Sequence, residues 1–223
     1  MSPKAELFKI IKASFRENIK PGLVLQAAGL AIVLMYYFFP WFTGKLGIIG
    51  QWKAEGGYLY SGVSTALFGG VFPFVLLYVK DRKQVRGRAA SLLVFYILFW
   101  FWKGMEVDLM YRVQAWLYGD TNHWLVILKK TATDQLVYCP LWAVPTMMLF
   151  YLWKDAGFKF EETRARLRRD SFGQRYLRVL FSNLIVWVPA VAIIYQLPLV
   201  LQIPLFNLVL AFWTLILNSV SER

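Results

Sequence analysis

Cysteine and histidine are almost missing from this chain: Cys139 and His123 are the single copies among 223 residues. One cysteine excludes a disulfide framework within the chain, and the two residues cannot supply a Cys/His metal set. No Walker-type loop and no dinucleotide glycine fingerprint occurs. With one histidine there is no nucleophile-plus-base set either, so no catalytic residue, metal or cofactor is expected and the chain does not read as an enzyme. Charge is scarce as well. Charged residues make up 17% of the chain against 58% hydrophobic, which is too apolar for an ordinary soluble domain.

What is present is apolar sequence cut by basic connectors. Residues 3–19 read as a basic amphipathic helix, with Leu7, Phe8, Ile10, Ile11 and Phe15 mostly on one side and the lysines and Arg16 on the other. Such a helix suits the membrane interface. A mitochondrial targeting element is the other reading, although Glu6 and Glu17 count against it, because transit peptides are poor in acids. A secretory signal is not expected, since Lys4, Lys9, Lys12 and Arg16 interrupt the segment.

Six hydrophobic segments follow, at about 22–39, 58–79, 89–102, 132–153, 179–197 and 203–220. Pro40-Trp41 with Gly44, Gly47 and Gly50 mark a loop, and Gly119-Asp120 ends the helical stretch that continues the third segment. Ser61, Thr65 and Gly69 recur every fourth residue in the second segment, a spacing that lets helices approach closely within or between chains. Pro73 is expected to kink that segment, Pro140 and Pro145 the fourth, and Pro189 the fifth. The expected fold is all-α: a polytopic transmembrane bundle of four to six spans, one membrane domain over 1–223, with the interfacial helix at its N-terminus.

A formal net charge of +12 would suggest nucleic acid in a soluble protein. Here the positive-inside rule accounts for it better, and the expected partner is the lipid bilayer. Six spans put both termini on one side. Nineteen Lys and Arg then lie on that side against six on the other, which places the termini in the cytoplasm or its equivalent.

Asp134-Gln135 stands near the start of the apolar run Thr131 to Trp153. An acid at the centre of a spanning helix costs about 2.5–3.5 kcal/mol on insertion scales. It therefore needs a partner, a hydrated cavity or the membrane boundary. Asp134 either pairs with Lys129, Lys130 or Arg112 (or caps backbone), or it lines a pore or gate. Lys103 and Glu106 lie three apart, Asp108 and Arg112 four apart, so each pair shares a helix face. They read as side-by-side ion pairs or as a charged outer vestibule, whose mixed signs argue against strong ion selection. Asn183, Gln196, Asn207 and Asn218 read as interhelical hydrogen-bonding amides. Asn183 and Trp187 share a face that could form a polar-aromatic constriction. Arg164, Arg166, Arg168 and Arg169 read as a solvated loop or as an anionic-lipid contact. His123 beside Trp124 reads as interfacial, and Cys139 beside Pro140 as packing or a redox gate.

The stretch Asp134-Gln135-Leu136-Val137-Tyr138-Cys139-Pro140-Leu141 resembles the Asp-Gln-x-x-x-x-Pro signature of the Mpv-seventeen/twenty-two-kilodalton peroxisomal membrane protein family. Tyr111-Arg112-Val113, Asn183 with Trp187 and Pro189, Tyr195 with Pro198, and Trp213 with Ser219 are similar to further motifs of that family, in the same order. The resemblance covers residues 100–223, with Gly104-Met105 where the family has Gly-Pro and Thr214 where it has Asn. It implies a small helical protein of the mitochondrial inner membrane, the peroxisomal membrane or a bacterial inner membrane, forming a channel for ions or small solutes. The expected function is therefore a passive channel, with Asp134, Gln135 and Asn183 as polar lining and Arg112 as a pairing or gating cation. A non-transporting, lipid-interacting scaffold is the alternative. A secondary transporter ranks last, because no inverted repeat is visible.

Overall fold

The structure, a computed structural model, describes residues 3–80, 82–169 and 172–220, and the side chains of 8–80, 82, 85–168 and 172–213. The side chains of Lys4, Glu6, Leu7, Arg169, Thr214, Asn218 and Ser219 lie outside the described ones. Among the described residues there is no strand. In chain order the helices are α1 (Pro3–Phe38), α2 (Pro40–Thr65), α3 (Phe72–Lys80), α4 (Arg82–Val85), α5 (Ala89–Tyr118), α6 (Trp124–Thr133), α7 (Val144–Asp155), α8 (Phe160–Arg169), α9 (Phe172–Ile194) and α10 (Leu199–Val220). Wide π-helical segments, Ala66–Val71 and Asp134–Ala143, join α2 to α3 and α6 to α7.

Among the described residues, five helical stretches are long and apolar enough to cross a membrane: Phe8–Phe38, Pro40–Lys80, Ala89–Tyr118, Trp124–Asp155 and Phe172–Ile194. The apolar stretch Leu199–Trp213 is shorter. These helices suggest an integral membrane protein.

The expected loop after Pro40 is instead the first half of α2. Proline at the start of a helix needs no N–H partner, so Pro40 opens α2 rather than breaking it. Gly50 serves packing, since a Cβ there would come within 3.3 Å of Val200 and Leu201 side-chain atoms. Gly57 does break the helix, with φ 52° and ψ −130°.

Both π segments are set by proline. A helical proline has no N–H and its ring strikes the carbonyl four residues back. Widening the turn relieves both problems. Ahead of Pro73, the Phe72 N–H bonds Leu67 O, five residues back. Between Pro140 and Pro145, the Val144 N–H bonds Cys139 O. Pro140 O then loses its usual donor, and the next candidate is Pro145, which has none. The Tyr176 hydroxyl donates to it instead, at 2.8 Å.

The chain gathers into two compact units, Met1–Leu23 with Thr131–Pro189 and Val24–Lys130 with Ala190–Arg223. In the first, Cys139, Val144 and Met148 form a buried cluster against Phe172, Tyr176, Val179, Leu180 and Leu184. In the second, α2, the following π segment, α5 and α10 pack together. A Cβ on Gly104 would strike Ser61 O and Thr65, and one on Gly69 would meet Trp100 and Leu210 at 2.7 Å. The Ser61/Thr65/Gly69 face is thus used inside the chain, where backbone contact without side-chain bulk brings α2 against α5.

Candidate functional site

The break at Gly57 has a chemical consequence. Positive φ is open to glycine at little cost, and it turns the Gly57 carbonyl out of the helical ladder. That carbonyl accepts from Lys53 Nζ at 3.2 Å and from Ser61 Oγ at 3.2 Å. Both donors also reach Asp108 on α5: Lys53 Nζ and Ser61 Oγ each lie 2.9 Å from its Oδ2. Arg112, one turn further along α5, donates from Nε to Asp108 Oδ1 at 3.1 Å. The Lys53 and Asp108 side chains are 3% and 2% exposed, whereas Arg112 is 40% exposed. Its guanidinium also lies over the Tyr58 ring, 4.7 Å from the centroid. One carboxylate therefore accepts charge-assisted bonds from two cations and a hydroxyl.

Other polar groups of this unit are paired around it. Lys103 Nζ bonds Glu106 Oε1 at 2.6 Å and lies over the Trp102 ring. Lys130, buried at 1%, reaches Asp120 Oδ1 at 3.4 Å and lies 5.7 Å from the Tyr195 ring centroid. Tyr195 packs edge-on against Tyr111, and its hydroxyl accepts from Gln114 Nε2 at 3.2 Å. Asp120 Oδ2 accepts the Leu199 N–H, holding the start of α10. Asn207 on α10 accepts from Thr65 and donates to Ser64, at 2.8 and 2.9 Å.

In the first unit, Asp134 and Gln135 open the second π segment and are buried, at 5% and 4%. Gln135 Nε2 donates to Asp134 Oδ1 at 2.9 Å. Asn183 on α9 donates to Cys139 Sγ at 3.1 Å. Trp187, one turn further on, is half-buried, as is Pro189. On α8, Arg166 bonds Glu162 at 3.0 Å, and Arg164 and Arg168 are exposed. His123 is exposed, and its Nδ1 accepts the Leu125 N–H at the start of α6.

No protein-family model, curated protein or solved structure matches the chain. The site must therefore be read from its own chemistry. Among the described residues no group of three His, Cys, Asp or Glu could hold a metal ion. The structure gathers Asp108 with Arg112, Lys103 with Glu106, Asp134 with Gln135, and Asn183 with Cys139. Lys53 and Ser61 were not singled out for the charged site by sequence reasoning, yet both bond Asp108. The one available signal was the lysine in a glycine-flanked stretch, four residues before Gly57.

Proposed function

We propose that this chain is a membrane channel passing small solutes or ions by passive diffusion. The observation that carries the reading is the Lys53–Asp108–Arg112 cluster, set among helices apolar enough to span a bilayer. Ionisable groups buried between apolar helices are costly, and in membrane proteins they often mark ion or solute paths. Stability alone does not require them, because buried ion pairs are often matched or bettered by apolar packing. The break at Gly57 adds support, because it turns a backbone carbonyl toward Lys53 and Ser61 beside the cluster, and non-helical backbone in membrane proteins is tolerated where it is buried in protein or lines water.

Asp134, Gln135 and Asn183 supply polar groups of their own in the first unit. Asp134-Gln135 also heads the signature through which the chain resembles the Mpv-seventeen family, whose members are read as channels. With α10 counted as a sixth crossing, the excess of basic connectors puts both termini on the cytoplasmic or equivalent side of an inner, plasma or organelle membrane. Transport would be passive, and a homo-oligomer is compatible with this reading.

The test is solute flux and conductance of the purified full-length protein in liposomes and planar bilayers. Wild type is expected to conduct, and Asp134→Asn and Asp108→Asn to alter conductance. Wild-type protein without conductance or flux overturns the reading. A lipid-interacting scaffold is the second reading. It is favoured by exposed Arg164 and Arg168 on α8, beside an aromatic corner where Trp153 stacks on Phe160, 5.7 Å between centroids.

A further inference from the structure

The mixed signs along α5 suggest little charge preference when read in a row, but the pairing changes the sum. Lys103 is matched by Glu106, and Lys130 by Asp120. Asp108 faces two cations, Lys53 and Arg112, so this cluster holds one more cation than carboxylate. Glu55, the nearby acid on α2, is exposed and bonds Gln51.

The surplus is also distributed unevenly. Lys53 is 3% exposed, with its ammonium held by Gly57 O and Asp108 Oδ2, so the oxygens that a free cation would seek are taken by a tethered one. Arg112 is the exposed member. Its Nε is used by Asp108, while its two Nη groups donate to no other group among the described residues. Five donors in a fixed fork make a guanidinium a natural anion contact, and this one lies 4.7 Å from the Tyr58 ring centroid.

We infer that the channel favours small monovalent anions such as chloride over cations, with Arg112 setting the preference and Lys53 closing the cation site at Asp108. The inference rests on the channel reading above. A local potential of one kT enriches monovalent anions over cations by about sevenfold, and charge-lined clefts reach several kT. The Arg112 side chain is 40% exposed, so ions of a water-filled path that reaches it screen its field, and the preference falls as ionic strength rises.

The experiment is the reversal potential of the reconstituted full-length protein across a KCl gradient. Wild type reverses toward the chloride equilibrium potential. Arg112→Gln moves the reversal toward zero, and Arg112→Glu carries it to the potassium side. Both variants are first checked for wild-type elution in detergent; if Arg112→Glu fails that check, Arg112→Gln carries the comparison. A conducting wild type that prefers potassium, or an Arg112→Gln reversal equal to wild type, overturns the inference and leaves the channel reading standing. Absence of conductance in wild type overturns both.

Discussion

Lys53 Nζ donates to Asp108 Oδ2 at 2.9 Å, joining the two sides of the α2–α5 pack through a bond between nearly unexposed side chains. The contact ties an interrupted helix to an uninterrupted one. It also fixes where the charge of Asp108 points, because Ser61 shares the same oxygen and Arg112 takes the other.

Removing one member of that pair should cost more than removing both. Lys53→Met leaves a buried carboxylate short of a partner, a loss of about 3–5 kcal/mol when buried pairs are broken on one side. Arg112 remains bonded to Asp108, so the lower end of that range is expected. Lys53→Met/Asp108→Asn should recover part of the loss. Thermal melting of the detergent-solubilised wild type, Lys53→Met, Asp108→Asn and the double variant in a double-mutant cycle measures the coupling; a double loss equal to the sum of the two single losses would argue that the pair contributes nothing.

Gly104 and Gly47 should respond oppositely to the same substitution. Alanine at Gly104 drives a methyl into Ser61 O and Thr65, and overpacking of this kind costs about 1–3 kcal/mol. At Gly47 nothing lies within 4 Å. Alanine there should stabilise α2 by about 0.5–1 kcal/mol through helix preference. Melting temperatures of the two variants give the comparison directly.

Asn207→Leu removes the acceptor of Thr65 and the donor to Ser64. Interhelical hydrogen bonds in membranes average about 0.6 kcal/mol, so a loss near 1 kcal/mol is expected for the two together. Thr65→Val should produce a smaller loss, and little beyond that of Asn207→Leu in the double variant.

Cys139 is 2% exposed and packed among Val144, Met148 and the α9 side chains. A maleimide probe should label it slowly in the folded protein and fast in denaturant. Rapid labelling without denaturant would reopen the reading of this thiol as a redox gate.

Neutralising Arg164 and Arg168 to Gln should reduce the anionic lipid retained through purification, each charge near the surface being worth about 1 kcal/mol. Lipid mass spectrometry of the purified protein reads the change. Because both arginines are exposed, the melting temperature should stay at its wild-type value.

Much of the local structure was legible in the residues. Gly119, at φ 90°, ends α5 where a glycine-aspartate pair signals a stop. The close approach at Ser61, Thr65 and Gly69 follows from the missing side-chain bulk at four-residue intervals. Lys103–Glu106 and Asp108–Arg112 follow from helical spacing alone. The stretch after Pro40 misled for a physical reason. Glycine marks turns and it marks close contacts, and the sequence around Gly50 does not say which; Val200 and Leu201 do.

The sequence by itself determined the class of molecule: long apolar helices, basic connectors, and prolines that force wide turns, all consequences of local chemistry repeated along the chain. Only the tertiary structure decided which charges are spent on one another. Lys53 reaches Asp108 across 55 positions and Thr65 reaches Asn207 across 142. Such partners are chosen by which helix faces meet, and no spacing within one helix encodes that choice. The surplus positive charge at Arg112 exists only after those pairings are made.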